Sequence, residues 1–179
     1  MSQSSAVPAK LPSNQFDHFY RGGNRIGALR HGPGGPMRPE EWIGSVTTRF
    51  GEAEQGLSKL SDGTLLKDAI KNDADAWLGA DHVKNFGLST EILIKLLDPD
   101  QRLPVHYHPN RKFAKDHLSL KHGKTEAWII LEAPAGANVE PTFVSAVVAV
   151  PTVDAAYAAA AVVAVAHVRL PASAQVCAA

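Results

Sequence analysis

The chain has 179 residues and a mass of 19.1 kDa, the size of one domain. Hydrophobic residues make up 45% and charged residues 20%, ordinary values for a protein with a buried core. Eighteen Lys and Arg balance eighteen Asp and Glu, so overall charge points to neither nucleic acid nor a membrane surface, and the lone Cys177 excludes an internal disulfide framework and a cysteine zinc cluster.

In chain order, residues 1–10 are Ser-, Ala- and Pro-rich with no apolar signal-type run, and read as a flexible N-terminus of a cytoplasmic protein. Residues 21–39 are dense in Gly and Pro and predict loops. The GGNRIG stretch within them follows no strong strand and precedes no helical pattern, which argues against a phosphate-binding loop. Between Glu41 and Phe50 the second half is strand-like, and Ser61–Leu78 reads as a helix ended by Gly79. Three strand candidates follow, Glu91–Leu97, Leu103–His108 and Thr125–Leu131, the last two joined by an irregular basic connection, Pro109–Lys124.

His106 and His108 flank Tyr107, and alternation along a strand sends both imidazoles to one face. Glu126 shares a face with Trp128 and Ile130 on the third strand candidate. His-x-His alone is weak and frequent on surfaces. A carboxylate on an apolar strand is harder to dismiss, since it seldom faces a core unless paired or bound to metal. Together the three residues describe an open divalent site for zinc or a similar ion. Arg102, Arg111, Lys112, Lys115, Lys121 and Lys124 surround them, against the single acid Asp116. They suit an anionic, phosphorylated ligand, or else form a solvated loop. The other histidines lack ligand spacing, and Trp42, Trp77 and Trp128 read as core or pocket-wall aromatics.

The runs Ile94-Lys95-Leu96-Leu97-Asp98, Leu103-Pro104-Val105-His106-Tyr107-His108-Pro109 and Gly123-Lys124-Thr125-Glu126-Ala127-Trp128 resemble class I mannose-6-phosphate isomerases, cupins with a "VKLLDA…LSVQVHP…GKTEMW" pattern. Glu41-Trp42 and the helical stretch from Thr64 fall in the family's order, so the resemblance covers about residues 11–138. It implies a mainly β fold, an incomplete cupin-type (double-stranded β-helix) barrel with a small helical insertion. It also implies zinc-dependent interconversion of mannose 6-phosphate and fructose 6-phosphate, with no nucleic-acid or membrane partner. Carried over by position, His108 and Glu126 match metal ligands, and His106 stands where many members have a Gln ligand. Lys124 matches the GKTE lysine placed near substrate and metal, a catalytic position, and Arg111 and Lys112 are the substrate-binding candidates.

The family pattern stops at about Asn138, before its further His ligand and its Arg-containing motif. Residues 139–179 are Ala- and Val-rich with only Glu140, Asp154 and Arg169 charged. The expectation is a tail foreign to the domain, of the kind a shifted reading frame produces, helical or disordered, on a marginally stable, aggregation-prone chain. An Ala-rich helix docked on the core is the second reading. A membrane anchor is the third, although Ala155–Val168 falls short of the ~20 apolar residues a span needs. His167 lies in surroundings unlike the missing motif. The functional alternatives to an isomerase are a non-catalytic sugar- or metal-binding module and an inactive gene fragment.

Overall fold

The computed structural model describes residues 8–101, 103, 109–120, 122–124, 127–131, 146–149 and 163–166. Among them are five helices: α1 (Asn24–Arg30), α2 (Leu66–Asn72), α3 (Ala74–Leu78), α4 (Ala80–Phe86) and α5 (Arg111–Leu118). The strands are β1 (Glu40–Ile43), β2 (Ile94–Leu97), β3 (Ala127–Ile130), β4 (Ala146–Ala149) and β5 (Val163–Ala166). They form one sheet in the order β1-β2-β5-β3-β4, antiparallel except for the parallel pair β3–β4. Helices account for more of the described residues than strands, so the small helical insertion expected from the sequence is an underestimate. The strand candidate Leu103–His108 lies almost wholly outside the described residues.

Several elements differ from the sequence reading for identifiable reasons. The strand in the Glu41–Phe50 region is its beginning, Glu40–Ile43, because Gly44 takes a left-handed φ of 62° and turns the chain out of the sheet. The expected helix up to Leu78 is divided at Asp73 into α2 and α3, and Gly79 is followed by a further helix, α4. The basic connection is not wholly irregular: Asn110 caps α5, its side chain accepting from Phe113 N at 2.9 Å. A helix also begins inside GGNRIG. The position where a phosphate would sit is taken by Asp98, which accepts from Gly23 N at 3.1 Å and Arg25 N at 2.9 Å. A fixed carboxylate answers the helix N-terminus, so the nucleotide reading fails on geometry.

The tail contributes strands where it is described. Val163–Ala166 is inserted between β2 and β3, with Lys95 opposite Val165 and Val165 opposite Trp128. This corrects the helical-or-disordered expectation for those residues. Ala has high helix propensity, but two open strand edges offer backbone partners on both sides, and the alternating Val residues suit a pleated ladder.

Ile43 and Leu96, on one face of the first two strands, pack with Ile26 of α1, and a separate core joins Leu60, Leu66 and Ile70 with Leu11, Val46 and Trp77 around them. Among the described residues no helix is long and apolar enough to cross a membrane.

Candidate functional site

Strand alternation places Glu40 and Trp42 on the face of β1 opposite Glu41 and Ile43. Glu41, fully buried, is absorbed by structure: Arg30 Nε lies 2.8 Å from it, and Ser13 Oγ donates at 3.2 Å. Glu40 is different. Its carboxylate accepts from Tyr20 OH at 2.6 Å, Trp42 Nε1 at 2.7 Å and Lys95 Nζ at 2.9 Å, and His18 Nε2 lies 3.9 Å away. The Lys95 ammonium stands 4.6 Å from the centroid of the Trp42 ring. Phe16 stacks on His18 and meets Trp42 edge-on, closing an aromatic wall.

Burial alone would raise the Glu40 carboxyl, but the Lys95 charge, His18 and the Trp42 and Tyr20 hydrogen bonds overcome it and hold the group at about 2. Burial lowers the His18 imidazole below its ordinary value, with Glu40 opposing the shift and Lys95 adding to it. Glu40 is therefore a permanent anion and His18 a neutral ring near neutral pH.

The expected site residues fall in two groups. His106, His108 and Glu126 lie outside the described residues. Lys124 is buried, and its backbone N donates to Pro109 O at 3.0 Å. Gly123 beside it has no room for a side chain, since an added Cβ would come 2.5 Å from Pro109 O and 2.8 Å from Arg111 N. The chain just after His108 and the chain just before Glu126 are thus in direct contact. Arg111 and Lys112 are exposed on the first turn of α5, where Lys112 pairs with Asp116 one turn on. Among the described residues no group of three His, Cys, Asp or Glu side chains could hold a metal.

Sequence reasoning missed Glu40, Lys95, Tyr20 and His18. The signal was available for Lys95, a charge in the apolar run ILIKLLD, by the same logic that singled out Glu126. For His18 no local signal exists, because the Glu40 and Lys95 charges that act on it are 22 and 77 residues away in the chain.

In fold, the chain is similar to phosphomannose isomerases. It aligns with a mutant phosphomannose isomerase from Salmonella typhimurium at a TM-score of 0.54 and 21% identity, over 69% of this chain and 33% of that one. It aligns with a putative mannosephosphate isomerase from Archaeoglobus fulgidus at 0.51 and 21%, over 70% and 40%. In sequence, its curated relatives are mannose-6-phosphate isomerases, as the linked motifs imply. The mannose-6-phosphate isomerase ManA of Bacillus subtilis is 42% identical over 48 residues, and the probable mannose-6-phosphate isomerase GmuF of the same organism is 34% identical over 88. These matches span 27% and 47% of this chain but only 15% and 26% of the relatives' length. No family model matches the chain.

Proposed function

We propose that residues 11–138 form the metal-holding part of an incomplete cupin barrel, and that its chemistry is the interconversion of mannose 6-phosphate and fructose 6-phosphate in the cytoplasm. The supporting observation is the Lys124 N to Pro109 O hydrogen bond, which ties the residue after His108 to a point two residues before Glu126. The residues that flank this junction in the sequence offer two imidazoles and one carboxylate, a donor set suited to zinc. A bound divalent ion would polarise the substrate's carbonyl and hydroxyl oxygens.

The chain's own residues have distinct tasks in this reading. The register of the sheet links Trp128 of β3, through Val165 of β5, to Lys95 and Trp42. The Glu40–Lys95 pair fixes the Trp42 ring on this stretch of the sheet, which we take as a wall of the site. Glu40 is not the base that moves a proton between C2 and C1, because a carboxyl held at about 2 releases rather than keeps a proton near neutral pH. Lys124 offsets negative charge developing on the enediol oxygens. Arg111 and Lys112 meet the phosphate from the solvent side, as charge-assisted donors.

A non-catalytic sugar- or metal-binding module is the second reading, favoured by the composition of residues 139–179, unlike the rest of the chain although strands from it join the same sheet. A coupled assay for fructose 6-phosphate formation from mannose 6-phosphate, with zinc present, separates the two. Turnover abolished by Lys124→Ala supports the isomerase. Zinc binding without turnover, at protein concentrations far above an ordinary enzyme's, supports the module.

A further inference from the structure

Glu91 carries two unfavourable features at once. Its backbone is left-handed, with φ 54°, a region a residue with a Cβ rarely adopts. Its side chain is only 4% exposed, and its Oε1 has no hydrogen-bond partner. Buried carboxylate oxygens are ordinarily satisfied, and strain of this kind persists where the surroundings over-determine it. Among the described residues, His122 Nε2 lies 3.9 Å from that oxygen, an ion pair when the imidazole is protonated. Glu91 stands four residues before Lys95 and His122 two residues before Lys124. Their pair therefore spans the approaches to the two buried lysines.

The segment that follows His122 is itself tightly packed. Gly123 lies against the backbone of Pro109–Arg111 with no space for a Cβ, and Lys124 N is hydrogen-bonded to Pro109 O. Residues 122–124 are thus held by backbone packing at Gly123 and Lys124 and lie beside a buried carboxylate at His122. We infer that Glu91 is a positioning residue: acting through His122, it sets where the Gly123–Lys124 segment stands relative to Lys95, and so how Lys124 meets a sugar phosphate. This rests on the isomerase reading for the ligand, but not for the geometry. At 3.9 Å the contact is longer than a hydrogen bond.

The test uses the full chain with zinc, as wild type, Glu91→Gln, His122→Gln and the double variant. Amide hydrogen exchange reads the Lys124 N–H directly, with the Ile70 amide of α2 as a fold control. Lys124 protection is expected to fall about tenfold in either single variant and no further in the double, as two members of one unit behave. Mannose 6-phosphate affinity by calorimetry should weaken about tenfold, while zinc affinity by chelator competition stays within about twofold. A general loss of folding would move the Ile70 amide and both affinities together, and would overturn the inference. So would unchanged Lys124 protection, or additive losses in the double variant. If the wild type binds no mannose 6-phosphate, the isomerase reading fails, and the exchange data alone decide the positioning role.

Discussion

Lys95 Nζ lies 2.9 Å from Glu40 Oε2 across the β1–β2 ladder, both side chains being almost fully buried. The register that sets Trp42 opposite Lys95 makes this possible, because Trp42 donates to the same carboxylate while its ring sits beneath the ammonium. Two buried charges offset each other only while both are present.

Removing one of them should therefore cost more than an ordinary surface substitution. Lys95→Met leaves Glu40 buried without its main cation, and a loss of about 3–5 kcal/mol is expected for breaking such a pair. Urea unfolding measures it. The double variant Glu40→Gln, Lys95→Met should recover much of the loss, since it leaves no uncompensated charge. A double variant as unstable as the sum of the singles would refute the coupling.

Acid sensitivity follows from the same cluster. Glu40 titrates at about 2 in the fold against an ordinary 4.5, so the unfolded chain binds its proton first as pH falls. Its contribution is fully present above about 4.5 and is lost as pH falls towards 2. His18 is lowered from 6.5, so the unfolded chain also takes up its proton earlier, and stability begins to decline as pH falls below about 6.5. Both slopes have the same sign. Thermal unfolding across pH 7 to 3 should show Glu40→Gln flattening the lower part of the profile and His18→Phe the upper part.

For the metal, equilibrium dialysis with zinc is the direct measurement. His108→Ala and Glu126→Gln are each expected to lower affinity at least tenfold. Arg111→Ala, on exposed α5, should leave it unchanged. Equal zinc content in wild type and His108→Ala would move the site elsewhere.

The inserted strand makes a further prediction. β5 pairs on both sides, so a proline there removes a ladder donor wherever its N–H points. Val165→Pro should destabilise the chain by roughly 1–3 kcal/mol for the unmade bond and expose the β2 and β3 edges. Light scattering on heating should then show aggregation at a lower temperature than for the wild type. An unchanged midpoint would mean that 163–166 does not hold the sheet together.

Strand β2, β3 and much of the helical stretch before Gly79 were legible from the amino-acid order alone, because apolar periodicity and turn residues act within a few positions. The likeness of the linked motif runs to mannose-6-phosphate isomerases is matched by the relatives found, while His106, His108 and Glu126 lie outside the described residues. The fate of the Val- and Ala-rich 163–166 segment was not. Its local preference is helix, and only the presence of two unpaired strand edges, distant in sequence, turns it into a strand. Nor could the sequence by itself distinguish Glu40 from Glu41, adjacent acids on one strand. Alternation sends one to Arg30 and the other to Lys95, and which partner waits on each face is a matter of how α1, β1 and β2 pack.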